Sequence, residues 1–211
     1  TDVDVVRRPR IGVVSTGDEL VSGGGPLGPG QIRDSNRGTL LALVDAAGAE
    51  AVDLGLVADN ADAIAAVLRQ GVATCDAVLS SGGVSMGDAD LVKQVLDAIG
   101  DMRWMQIAIK PAKPFAFGLV DGTPVFGLPG NPVSSLVSFE LFARPALRSM
   151  MGHRQVERTQ LQAVADVDLR RRPDGKVHYV RVTVTYRDGQ WQRDNGQCED
   201  TFTLVFFEKI L

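Results

Sequence analysis

Short apolar runs alternate with helical patterns along the first 150 residues. Residues 10–17 (RIGVVSTG) are nearly unbroken apolar chain ending on glycine, the pattern of a strand buried on both faces. Residues 51–57 and 76–79 read the same way, and 102–109 supply a fourth strand. Between them, Leu40, Leu41, Leu43 and Val44 make one helical face that Gly48 ends; Ile64, Val67 and Leu68 make a second; residues 88–99 make a third. Asp34, Ser35 and Asn36 stand where the first helix needs a cap, and Asp59 and Asn60 where the second does. This βαβαβαβ order predicts a right-handed parallel sheet with helices on both faces. Residues 115–120 and 124–128, joined by Asp121-Gly122-Thr123, predict a hairpin added to that sheet. Asn131 and Pro132 then open a long helix that Pro145 kinks and Gly152 ends.

Past residue 153 the period changes. Residues 164–169 and 176–187 alternate like two antiparallel strands around 171–175, and the tail from Cys198 to Leu211 holds an apolar cluster without an evident strand partner. The expected organisation is a linker over 1–9, an α/β domain over 10–152 and a β-rich domain over 153–211. The fold class is a three-layer α/β/α, mostly parallel sheet with a small, incomplete C-terminal β domain.

Composition narrows the functions. The net charge of −4 argues against a general nucleic-acid binder. No apolar run approaches the roughly 20 residues of a membrane span, and no signal-like segment opens the sequence. Cys75 and Cys198 lie far apart, without metal-ligand spacing, which suits a reducing cytoplasm.

The candidate chemistry begins at residues 80–90, SSGGVSMGDAD. A glycine-rich turn between a strand and a helix presents backbone N–H groups and a positive helix end to an anion. Asp88 and Asp90 would repel a bare phosphate, unless a divalent cation bridges carboxylate and phosphate. The loop thus points to a phosphorylated ligand handled with a metal. Thr16-Gly17-Asp18-Glu19, Asp59-Asn60, Lys110-Pro111-Ala112-Lys113-Pro114 and residues 129–135 would join it at the carboxyl ends of the strands. Plainer readings stand beside these. Asp88 suits a helix N-cap, Asp90 and Asp59 suit helix starts, Asp18 and Glu19 suit a solvated turn, and the two lysines suit a solvated pair. His153 and His178 have no partner in sequence.

STGDEL (15–20), GQIRDSN (30–36), LSSGGVSMGDAD (79–90), IKPAKPFAFG (109–118) and FGLPGNPVSS (126–135) together resemble the molybdopterin molybdenumtransferases, including the matching domain of gephyrin. The resemblance implies an enzyme that binds adenylylated molybdopterin and molybdate, hydrolyses the phosphoanhydride with Mg2+ and places molybdenum on the dithiolene. It implies catalytic roles for Asp90, Asp59, Asp18 and Glu19, with Asp90, Asp59 and Glu19 holding the metal. It places the pterin substrate against Thr16, Gly17, Asp34, Ser35, Asn36, Ser81, Gly82, Gly83, Ser85, Gly87, Asp88, Pro129, Gly130 and Asn131. Molybdate falls to Lys110, Lys113, Ser134 and Arg181. The implied partners are a second copy of the full-length protein and the molybdopterin adenylyltransferase; neither nucleic acid nor membrane is expected. Three departures accompany the match. Two family domains N-terminal to Arg8 are absent from this segment, on which its turnover alone depends. Ala112 replaces the usual glycine of KPGKP, and the tail after Asp194 lacks the family's glycine-serine motif. The alternatives are a non-catalytic pterin- or partner-binding module and a molybdopterin adenylyltransferase, which shares the fold and the SGG loop.

Overall fold

The computed structural model describes residues 5–84, 90–160, 174–187, 190–194 and 202–208. In chain order the elements are β1 (Arg10–Thr16), β2 (Leu20–Val21), β3 (Ile32–Arg33), α1 (Asn36–Ala47), β4 (Glu50–Val57), α2 (Ala61–Thr74), β5 (Ala77–Ser81), α3 (Leu91–Ile99), β6 (Asp101–Gln106), β7 (Ile109–Lys110), β8 (Pro114–Val120), β9 (Thr123–Leu128), α4 (Pro132–Ser138), a π-helical turn (Phe139–Ala143), α5 (Arg144–Met150), β10 (Val177–Arg187), β11 (Gln190–Asp194) and β12 (Phe202–Glu208). They form two compact units, one of Thr1–Ile107 with Ala112–Val156 and the other of Ala108–Pro111 with Glu157–Leu211.

The first unit is built on a six-stranded sheet in the order β4-β1-β5-β9-β8-β6. β4, β1, β5 and β9 pair in parallel, while β8 runs against both β9 and β6. Five strands therefore share one direction and the sheet is mostly parallel. Strand alternation separates two cores. Ile11, Val13, Ala77, Leu79, Phe126 and Leu128 face α1, the π-helical turn and α5, whose Leu40, Val44, Phe139 and Leu147 are buried with them. Val14, Val78 and Val125 face the other way, onto Ile64 and Leu68 of α2 and Val92 and Leu96 of α3. Helices thus cover both faces, which is why these strands are apolar at successive positions.

Several expectations need correction. The hairpin β8–β9 does join the sheet, and its place there is internal: β9 pairs with β5, so the hairpin lies between β5 and β6. The fourth strand ends at Gln106 and, among the described residues, meets only β8, antiparallel. Lateral order depends on which open strand edge the hairpin reaches, and no local periodicity encodes that. The third helix begins at Leu91 with Asp90 as its N-cap, accepting the Lys93 N–H at 3.3 Å, so the capping role offered to Asp88 belongs to Asp90. The second helix is capped by Asn60, whose Oδ1 accepts from Ala63 at 3.0 Å, and not by Asp59. Ser35 occupies the N-cap of α1 without a side-chain bond, and Asp34 Oδ1 accepts the Arg37 N–H instead. The long helix after Asn131 is interrupted by the π-helical turn immediately before Pro145, which lacks an N–H for the helical ladder.

In the second unit, β10 is central, flanked by β11 and β12 in antiparallel pairing and by β7 in parallel. The apolar tail does have a strand partner, since Phe202–Glu208 pairs along Val184–His178. The strand expected over 164–169 lies outside the described residues.

Candidate functional site

The parallel strands β1, β5 and β9 end together, and their connections diverge. β1 leads to α1 on one face of the sheet, whereas its neighbour β5 leads to α3 on the other. Such a divergence opens a crevice at the carboxyl ends of the strands. Here the crevice is a cleft of about 780 Å³. Thr16 and Gly17 reach it from β1, Ser81, Gly82 and Gly83 from β5, Pro129, Gly130 and Asn131 from β9, and Ser134 from α4. Glu19, Arg33, Asp34, Ser35, Asn36, Asp59 and Asp90 complete the polar lining, while Leu20, Ile32, Val84, Leu91, Val92 and Pro114 give it an apolar part.

Two turns carry the floor of the cleft. Gly82 and Gly83 follow β5 with φ of +93° and +68°, and the Gly82 N–H donates to Leu128 O at 3.0 Å. On β9 the chain turns at Pro129-Gly130-Asn131, where Asn131 Oδ1 caps α4 by accepting from Ser134 N at 3.2 Å. Asn36 joins the two: its Nδ2 donates to Ser81 Oγ at 2.8 Å and to Gly130 O at 2.7 Å. Residues from three separate sequence motifs therefore form one hydrogen-bonded unit. Asn36 lines the cleft, but its amide hydrogens hold the turns in place.

The charges of the cleft are mainly acidic. Asp59 donates its backbone N–H to Asp18 Oδ1 at 2.9 Å, bringing the Thr16–Glu19 turn against the end of β4. Although part of Asp59 is open to solvent, the surrounding protein desolvates its carboxyl and pushes its pKa up. The negative charges of Asp18, Glu19 and Asp90 push it the same way. Asp34 is differently placed. Its buried carboxylate accepts from Ser15 Oγ at 3.0 Å and pairs with Arg37 Nε at 2.9 Å, and Arg37 also binds Asp53 and Ser22. Asp34 thus fastens the wall of the cleft. Among the described residues, no group of three or more His, Cys, Asp or Glu side chains gathers closely enough to hold a metal alone. The oxygen-only carboxylate set nevertheless suits a hard cation, since magnesium commonly takes one or two carboxylates together with ligand phosphate and water.

The other sequence-predicted residues divide. Lys113 is exposed in the first unit and does not line the cleft. Lys110 and Arg181 belong to the second unit, where β7 places Lys110 in register with His178 and β10 carries Arg181. Asp18 is exposed and reaches the cleft through its bond to Asp59. Ser85, Gly87 and Asp88 lie outside the described residues. Arg33 lines the cleft although the sequence expectations leave it out. Its signal was the position inside GQIRDSN, which a solvated arginine would share.

Residues 12–149 match the family model described as "Probable molybdopterin binding domain". The molybdopterin molybdenumtransferase of Haemophilus influenzae is 42% identical over 171 residues, covering 81% of this chain and 42% of that protein. Molybdopterin molybdenumtransferase 2 of Mycobacterium tuberculosis is 39% identical over 194 residues, covering 89% and 48%. The crystal structure of the molybdopterin biosynthesis MoeA protein from Pyrococcus horikoshii is similar with a TM-score of 0.70 at 30% identity, covering 90% of this chain and 46% of that one. The chain spans less than half the length of these relatives.

Proposed function

We propose, from the premise that this chain belongs to the family of molybdopterin-binding domains, that it takes part in molybdenum cofactor biosynthesis as the pterin-binding portion of a molybdopterin molybdenumtransferase. The reaction is the conversion of adenylylated molybdopterin and molybdate into molybdenum cofactor and AMP. One observation carries this reading. A single cleft sets the glycine turn after β5 and the start of α3 beside Glu19, Asp59 and Asp90, the arrangement a phosphate needs when a cation accompanies it. The backbone N–H groups of the turn beyond Gly82, whose own N–H is bound to Leu128 O, would bind phosphate oxygen, and the accessible apolar lining of Leu20, Ile32, Leu91 and Pro114 would take the flat pterin. One or two of the carboxylates Glu19, Asp59 and Asp90, completed by ligand phosphate and water, would hold Mg2+, which supplies Lewis-acid polarisation of the phosphoanhydride when bound. Ser134 and Lys113 are proposed molybdate residues of the first unit, and Lys110 and Arg181 are further candidates to be tested separately.

The test follows AMP release from adenylylated molybdopterin with Mg2+ and molybdate. Because Asp90 caps α3, Asp90→Asn is the informative variant: asparagine caps a helix as well as aspartate does, yet removes the charge. AMP release should fall about 100-fold or more with an unchanged unfolding midpoint. Release that survives Asp90→Asn would count against the catalytic assignment. A second reading, a non-catalytic pterin-binding module, draws on that same capping contact, which gives Asp90 a structural task. Binding of adenylylated molybdopterin without release would favour it. Formation of adenylylated pterin from ATP would favour the adenylyltransferase.

A further inference from the structure

The geometry points to Arg33 as a phosphate-contacting residue of the cleft, one that sets its preference for phosphorylated ligands; this rests on the pterin-binding reading above. Among the described residues that line the cleft, Arg33 carries the one cationic side chain. It stands at the end of β3, directly before the Asp34–Asn36 segment that fastens the cleft wall. One of its terminal nitrogens, Nη2, donates to the backbone carbonyl of Gly25 in the glycine-rich loop. The other, Nη1, is shut off from solvent and has no hydrogen-bond partner among the described residues.

Arg37, four residues on, shows what an arginine with a structural task looks like in the same place. Its guanidinium binds the carboxylates of Asp34 and Asp53 and the hydroxyl of Ser22. Arg33 has no such carboxylate, although the cleft is rich in them. A shielded cationic donor without an acceptor is unfavourable as it stands and becomes favourable when an anion arrives. Turned from Gly25 O toward the cleft, its planar fork would match two phosphate oxygens at once, and charge-assisted bonds of this kind are the stronger class. Gly25 O is then the resting partner, on a loop that contains five glycines between Ser22 and Gln31.

The chemistry recognised is a phosphate oxygen, whether on the pterin side chain or on the nucleotide. The experiment titrates the unaltered chain, Arg33→Ala, Arg33→Gln and Arg33→Lys with AMP, molybdopterin and adenosine, each with Mg2+, by calorimetry. Removal of the guanidinium should weaken the phosphate ligand by about 10-fold or more and leave adenosine within twofold. Arg33→Lys should recover part of the loss. A loss confined to AMP assigns the nucleotide phosphate, and a loss confined to molybdopterin assigns the pterin phosphate. Equal weakening of AMP and adenosine, or phosphate binding unchanged in all three variants, would overturn the role of Arg33 alone. An unaltered chain that binds none of the three compounds would overturn the reading of the cleft, and this proposal with it. Arg33→Gln and Arg33→Lys keep an aliphatic stem with a polar head, so the comparison stands if Arg33→Ala does not fold.

Discussion

At Gly83 the backbone turns through φ +68°, and a Cβ built there would lie 2.2 Å from Cβ of Val92. Val92 stands in the first turn of α3 and is buried in the core, so the clash is with a side chain that has no room to withdraw. Gly83→Ala should therefore destabilise the first unit by about 1–3 kcal/mol and shift the start of α3 away from the cleft. Urea unfolding read alongside ligand titration would check this; an unchanged midpoint would mean that the turn has room for a methyl group. Ala112 is the contrasting case. It stands where the resembling segments have glycine, is almost fully buried and has φ +76°. Replacing it with glycine relieves left-handed strain on the order of 1 kcal/mol but gives up a buried methyl group of about 0.8 kcal/mol. Ala112→Gly should thus shift the urea midpoint little, and Ala112→Val, with a branched Cβ, should lower it clearly.

The strands and helices are held in one architecture by a few side chains that bridge elements, and Asn36 does so most directly. Asn36→Ala would remove the donors to Ser81 Oγ, a partly buried acceptor at the end of β5, and to Gly130 O, an exposed acceptor in the turn after β9. The expected cost is about 1–3 kcal/mol, with faster amide exchange at both Gly82–Gly83 and Gly130–Asn131. Faster exchange at only one turn would show that Asn36 does not couple them. This bridge also explains what could be read in the sequence. The strands β1 and β5 were legible because burial on both faces leaves apolar runs, and Gly48 and Asn131 announced helix ends by local chemistry. The lateral place of β8–β9 and the partner of β12 depend on contacts between distant segments, which leave no periodicity behind. In the candidate site, glycine turns and carboxylates stood out as residue types. Asp88 and Asp90 lie too close for sequence to decide which one caps α3, and nothing in the letters GQIRDSN separates a cleft-lining Arg33 from a solvated one.

On the scale of the first unit, charge is divided between the two ends of the sheet. Carboxylates gather at the carboxyl ends of the strands, where Asp59 is desolvated and repelled by Asp18, Glu19 and Asp90. At the amino ends, arginines bind the chain's entry to the fold. Arg8 donates to Gly48 O and Ala49 O, Arg10 donates to Thr74 O, and Arg7 grips Asp76, which also accepts the Arg10 N–H at 2.7 Å. The two ends should respond oppositely to loss of a carboxylate. Asp59→Asn removes a desolvated, repelled charge and should raise the thermal midpoint in the absence of Mg2+, whereas Asp76→Asn removes a paired charge and should lower it. The Arg7 hydrogen bond, chiefly, and the Arg10 N–H hold the Asp76 carboxyl below its ordinary value of 3.8, against the opposing effect of burial. In the interval between that lowered value and 3.8 the unfolded chain binds more protons than the folded one, so stability rises with pH there. The contribution is complete above 3.8 and is lost as pH falls through the folded value. Thermal midpoints of the unaltered chain should therefore drop more steeply below pH 4 than those of Asp76→Asn. Parallel profiles for the two proteins would show that the Arg7–Asp76 contact contributes nothing to stability in solution, and that exposure lets water screen it.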